Sequence, residues 1–461
     1  MHVDMGAANR AGEADKANPY PATRKAWVMV GLLMVANIFS FIDRQILSLL
    51  VDPIREDLGI SDVQVSLLIG PAFAIFFCLM ALPLGRMVDT RNRIRLAAAG
   101  VALWSLATFL SGYAESFAHL FIARIGVAVG EAALFPAANS LIADSFPPHR
   151  RARAIGVFAL AIYLGSGLAL LFGGAVVGWA ESGGMGEAMP GVLAGFAAWQ
   201  LVLLAVGAPG LAIAAAIALL PEPRRRGITA VGGMQAAMPI GTVLRYVGAH
   251  ARLFLTHFLS FGTFVLGGYA VLAWAPTHLV RSMDVTRAEA GYGLGIAIMI
   301  GGLVGVLGVT SMADRLSAKG VRDGKFRVAA ACCAVKLALA VMLGFAPNAT
   351  SFMALVGLMT VCSSAGIALG PAALQEIAPG EMRGQALAAY QLVATVVGAG
   401  LGPPMVALLA GAASLPIGSA LSIVAATAAG LGTLGFLTGR RLFGREVETR
   451  MTLAAASPAL P

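Results

Sequence analysis

Charge is scarce in this chain: Asp, Glu, Lys and Arg together make up 12% of its 461 residues, while 58% are hydrophobic. A soluble fold of this length carries about twice that charged fraction, so an ordinary water-soluble domain is excluded as the bulk of the protein. Cysteine is scarcer still. Cys78, Cys332, Cys333 and Cys362 all fall inside apolar stretches, where a thiol behaves as a small hydrophobe, and no structural disulfide is expected. A phosphate-cradling nucleotide loop, clustered metal ligands and a Ser/His/Asp set at one membrane level are missing too. That argues against an enzyme or a nucleotide-driven pump and leaves no cofactor or metal to expect.

What fills the chain instead is apolar runs of about twenty residues or more, each long enough to cross a hydrocarbon core of roughly 30 Å as a helix. They are read near 26–50, 65–87, 96–113, 118–143, 154–179, 194–220, 250–279, 289–312, 328–346, 351–377, 385–410 and 416–438. Pro221, Pro223 and Arg224 to Arg226 open a polar linker, 221–249, that divides the chain almost in half. The expected fold is an all-α membrane protein: six helices in 26–220, six in 250–438, a disordered cytoplasmic tail over 1–25 and a second cytoplasmic tail over 439–461.

The formal charge of +9 is carried by short basic clusters between apolar spans and not by a basic stripe on a polar domain, so membrane topology explains it and no nucleic-acid partner is expected. The loop from Arg86 to Arg95, the Arg150, Arg151, Arg153 loop, the linker, the Arg315 to Arg327 loop and Arg383 all alternate onto one side. On the other side lie only Arg55, Arg281 and Arg287, with the acids Asp52, Glu56, Asp57, Asp62 and Glu115. Lysine and arginine asymmetry then places both termini in the cytoplasm of a multi-pass protein, expected in a bacterial inner membrane.

The halves resemble one another. Pro136-Ala137-Ala138 and Ile142-Ala143 after the fourth span have counterparts in Pro371-Ala372-Ala373 and Ile377-Ala378 after the tenth, and Asp89 has one in Asp314. Duplication of this kind is found in transporters whose site lies between two moving halves.

The loop Gly85-Arg86-Met87-Val88-Asp89-Thr90-Arg91-Asn92-Arg93 resembles the signature of the major facilitator superfamily, with Thr90 where an arginine is usual. Phe41-Ile42-Asp43-Arg44, the run from Arg124 to Ala132, Leu141-Ile142-Ala143-Asp144 and Gly165-Ser166-Gly167 resemble its Spinster family of lipid transporters. In the second half only the superfamily pattern is recognised. The resemblance implies alternating access and transport of lysophospholipids, sphingolipids or related single-chain amphiphiles, often with protons; a carrier of small organic anions or drugs is the alternative. The expected partners are an amphiphilic lipid or organic anion, protons and membrane lipids, and the chain is read as a monomer.

Ionisable groups inside a membrane cost a few kcal/mol or more unless paired or hydrated, so each needs a reason. Asp43 and Arg44 in the first span and Arg124 in the fourth are expected at one depth, where Asp43 can meet Arg124 if both helices face one cavity. Glu131 lies two turns deeper on nearly the same face as Arg124, with no evident spare cation, which marks it as a titrating group. Asp43 and Glu131 are therefore the expected proton-coupling residues, and Arg44 and Arg124 the expected headgroup contacts. A buried Asp43–Arg124 pair that merely fixes packing is the alternative. Lys336, alone in the ninth span, is expected to snorkel or face lipid, and His257 and His278 to be structural. In the loop, Asp89, Arg91 or Arg93, and Asp144 are expected to latch the cytoplasmic ends. Glycines in the fifth and eleventh spans, with Pro403 and Pro404, are expected to allow close packing and a bend.

Overall fold

The computed structural model describes residues 20–181, 195–225, 240–379 and 382–456. In hydrocarbon every backbone N–H and C=O must bond within its own segment, which leaves the helix as the only form open to these apolar runs. Among the described residues, twelve helices are long and apolar enough to cross a membrane: α1 (Thr23–Ser48), α2 (Asp62–Thr90), α3 (Arg93–Ser111), α4 (Phe117–Ser145), α5 (Arg153–Trp179), α6 (Ala198–Ala218), α7 (Ala251–Ser282), α8 (Arg287–Ala318), α9 (Gly324–Leu343), α10 (Ala349–Ile377), α11 (Gln385–Ala413) and α12 (Ile417–Thr452). The protein is a multi-pass membrane protein, and the expected spans are all present.

Polar residues in the loops start many of these helices by satisfying backbone donors that have no intrahelical partner. The side chains of Ser61, Asn92, Ser116, Thr286 and Asn348 cap α2, α3, α4, α8 and α10. Gly112 and Gly344 close α3 and α9 alike, and both α4 and α10 carry an internal proline, Pro136 and Pro371, in keeping with duplication. The last helix runs on without a break through Ile417–Ala456, so most of the expected C-terminal tail is a helical extension. Of the expected N-terminal tail and linker, residues 1–19 and 226–239 lie outside the described residues, and Ile240–Ala249 is a short helix leading into α7.

Within the first half α3 lies against α4 and α6, and α2 against α4; within the second, α12 lies against α7 and α9. The halves meet where α5 crosses α8 and α2 crosses α11. At the α5–α8 crossing, a Cβ on Gly167 would sit 2.7 Å from the Gly295 carbonyl oxygen, and a Cβ on Gly295 equally close to that of Gly167. Gly174 and Gly291 make a similar approach one turn further on. Toward the arginine-rich loops, a Cβ on Gly156 of α5 or Gly308 of α8 would meet nothing within 4 Å. At the acidic end Arg281 of α7 holds Asp52 and Asp62, and Gln45 donates to the Leu272 carbonyl. At the arginine-rich end the described hydrogen bonds and ion pairs stay within one half or reach the linker, such as Lys325 with Glu376. Among the described residues, the polar contacts between the halves gather at the acidic end. In α11 the backbone widens to a π-helical turn over Thr395–Gly400, just before Gly402 and Pro403, a bend of the kind its glycines and prolines lead one to expect.

Candidate functional site: a buried charge cluster between α1, α3 and α4

Side chains on a helix lean toward its N-terminus, and this decides which charges meet. On α1 the N-terminus is at the arginine-rich end, so Arg44 leans toward that end; on antiparallel α4 the N-terminus is at the acidic end, so Glu131 leans toward it and the two converge. Arg44 Nε donates to Glu131 Oε2 at 2.5 Å, and a second guanidinium nitrogen bonds the same oxygen. The Arg44 guanidinium also lies over the rings of Phe73 at 4.3 Å, Phe41 at 4.9 Å and Phe77 at 5.5 Å. Its side chain remains 23% exposed, whereas that of Glu131 is fully enclosed. Among the described residues, Glu131 Oε1 has no hydrogen-bond partner.

The expectation that Glu131 lacks a cation is thus overturned. Arg124, seven residues nearer the acidic end on the same helix, makes no hydrogen bond to Glu131 among the described residues. The expected pairing of Asp43 with Arg124 is corrected in detail. The Asp43 carboxylate accepts from Thr108 Oγ1 of α3 at 3.0 Å, while Arg124 donates to the Asp43 main-chain carbonyl at 3.3 Å. That carbonyl is one of the last in the α-helix Thr23–Gln45, where intrahelical partners run out and a cation is favoured. Asp43 Oδ1 and Arg124 Nε and one terminal nitrogen have no partner. Arg124 is 4% exposed and borders a small cavity with Leu47, Leu68, Thr108, Ser111, Leu120 and Leu203. Thr108 was not anticipated, because one threonine in an apolar helix carries no signal of its own.

Of the four latch residues only Arg93 and Asp144 come together. Arg93 bonds Asp144, Ser140 Oγ at 3.0 Å, Glu222 at 2.9 Å and the Pro223 carbonyl at 2.8 Å. The cluster ties the first half to the start of the linker and not to the second half. Asp89 and Arg91 are exposed, and their main-chain carbonyls accept from Arg225. His257 Nε2 donates to the Gly370 carbonyl, 3.0 Å away, among Phe261 and Tyr390, and His278 packs on Phe352; both fit a structural role. Lys336 neither snorkels nor faces lipid: it is 1% exposed and points inward between α7 and α10. The Arg281 clasp on Asp52 and Asp62 was also not singled out, although its signal was present in one of the few bases on a side rich in acids.

Two six-helix bundles that meet along α5–α8 and α2–α11, with buried charges on α1 and α4, are the architecture of a membrane transporter. The sequence profile of the Major Facilitator Superfamily matches residues 33–322, and the chain belongs to that superfamily. It is 31% identical to an MFS-type efflux pump of Mycolicibacterium smegmatis over 69% of each chain. Protein spinster of Drosophila melanogaster is 24% identical over 61% of this chain and 45% of its own, and Protein spinster homolog 1 of Homo sapiens 30% over 56% and 46%. The chain thus spans about half the length of those animal relatives. The fold is that of a bacterial homologue of the human lysosomal transporter Spinster in an inward-facing, unoccupied conformation, with a TM-score of 0.75 and 23% identity over 94% of this chain and 99% of that one. These relatives agree with the Spinster resemblance of the motifs.

Proposed function

We propose that this transporter carries single-chain amphiphiles with an anionic or zwitterionic headgroup, lysophospholipids and sphingolipids among them, and couples their movement to protons. The carrying observation is that one guanidinium, Arg44, binds an enclosed carboxylate on one side and stays partly open on the other, within a wall of phenylalanines. Cation and apolar wall together suit a charged headgroup with a hydrocarbon chain. While Glu131 is ionised it occupies Arg44; a proton on Glu131 weakens that bond and frees the cation for a phosphate. Asp43 is the second proton site, with Arg124 and its unpartnered nitrogens as the cation available to it when the halves rearrange. Both termini and the Arg224–Arg226 linker lie in the cytoplasm, so polar contacts gathered at the acidic end fit an inward-open state. Asp89, Arg91, Arg93 and Asp144 latch the arginine-rich end when it shuts.

A second reading, a proton-coupled carrier of small organic anions or drugs, is favoured by the relative named as an efflux pump. Proteoliposome uptake of labelled lysophospholipid against labelled small organic anions, with and without a pH gradient, separates the two. Gradient-stimulated lysophospholipid uptake supports the first reading, and stimulation of the organic anions alone supports the second.

A further inference from the structure

Lys336 is a buried cation that the charge cluster in the first half does not use. No ion pair reaches it among the described residues; its Nζ donates to the Phe264 carbonyl at 3.0 Å and stands 4.3 Å from the centre of the Phe264 ring. The thiols of Cys332, Cys333 and Cys362 are its other polar neighbours. An ammonium has three donors, and one is spent on Phe264. Burying an uncompensated charge is costly, and packing alone does not call for it. Trp104 stands at the same distance before the glycine that ends α3 as Lys336 does before the one that ends α9, and there a fully buried apolar ring fills the place.

A gap in the wall lies in front of this ammonium. A Cβ on Gly268 would sit 3.9 Å from Lys336 Nζ and 3.6 Å from Ser363 Oγ, so the missing side chain leaves room between α7, Ser363 of α10 and the amine. This stretch of α7 is also the one that reaches the first half. The residue after Gly268, Tyr269, is an electrostatic neighbour of Tyr163 on α5, and Leu272, one turn on, accepts from Gln45 of α1 at its carbonyl. Gln45 adjoins Arg44 in sequence, so the gap lies about one helical turn from the contact between the halves beside Arg44. Gly268 and Ser363 are only partly buried.

We propose that Lys336 is the second half's own anion contact: its ammonium meets the anionic headgroup of the substrate beside Gly268, while Arg44 meets it from the first half. A headgroup held from both sides draws the halves together at the arginine-rich end, so the substrate itself favours closure. Carboxylate, sulfate and phosphate share the required chemistry, and a headgroup with two anionic oxygens fits two cations best. This inference rests on the proposed amphiphile transport and adds the charge selection of the same site.

The test is equilibrium binding of oleoyl lysophosphatidylglycerol, which is anionic, and of monooleoylglycerol, which is not, to the purified full chain and to its Lys336→Met and Gly268→Ala variants. Loss of one charge-assisted contact predicts that Lys336→Met weakens the anionic lipid about tenfold or more and changes the uncharged one by less than about twofold. Gly268→Ala keeps the lysine but interposes a methyl group. It meets no atom closer than 3.6 Å, so it folds, and it is expected to weaken the anionic lipid selectively as well. Binding of the anionic lipid by the parent chain that both variants leave unchanged overturns this inference alone. Failure of the parent chain to bind either lipid overturns the amphiphile reading and this inference with it.

Discussion

The guanidinium of Arg44 holds the enclosed carboxylate of Glu131 from one side and keeps its other side partly open among Phe41, Phe73 and Phe77. An arginine so placed can serve either its own acid or an incoming anion, and on the proposed mechanism a proton on Glu131 chooses between them. The two groups lie far apart in sequence and meet because antiparallel helices lean their side chains toward each other.

The acidic end gives the first prediction. Arg281 bridges Asp52 and Asp62 with contacts of 2.7 and 2.8 Å, joining the two halves where their polar contacts gather. The cluster is partly wetted, so Arg281→Ala should cost the shut state about 1 kcal/mol, a shift of about fivefold toward opening of that end. Spin labels at Glu56 and Ser282 should report a longer-distance population. A distribution identical to that of the parent chain would reduce the clasp to a surface ion pair.

Arg93 and Arg91 sit in the same loop and should behave as opposites. Arg93→Ala removes a 1% exposed cation that Asp144 and Glu222 share, which should destabilise the protein by about 3–5 kcal/mol. Arg91→Ala removes an exposed side chain and should change stability by less than about 0.5 kcal/mol. Thermal unfolding of the two variants side by side checks the contrast.

The fold was largely legible because length and hydropathy alone separate membrane helices from loops, and the charge asymmetry of the loops orders them. The site was legible in part. Asp43, Arg44, Arg124 and Glu131 stand out because a charge in an apolar span needs a reason, but sequence spacing places residues only along a helix. Which of two adjacent charges faces which neighbour depends on the direction each side chain leans. That is why Glu131 was left without Arg44, and why the Asp43 carboxylate turned out to belong to Thr108. Lys336 was misread for a related reason: a lone cation says nothing of whether its helix turns it toward lipid or toward a glycine on the neighbouring helix.

Asp89 offers a prediction about the other conformation. Its side chain is exposed in this conformation, read as inward-open, where only its main-chain carbonyl is engaged, so Asp89→Asn should act on the shut state alone. The population should move further toward the open one, seen as lengthening between labels on the loop-side ends of α2 and α11. An unchanged distribution would make the loop a topology signal and nothing more.

The central claim is that a proton on Glu131 releases Arg44 for an anionic headgroup, and the pH profile of oleoyl lysophosphatidylglycerol binding to the parent chain and to Glu131→Gln tests it most directly. In the parent chain affinity should rise as pH falls, because protonation removes the competing carboxylate, by about tenfold or more across the titration. Glutamine mimics the protonated acid, so the variant should bind at high pH as the parent does at low pH and show a flat profile. A Glu131→Gln variant that keeps the parent's full pH dependence would contradict the account.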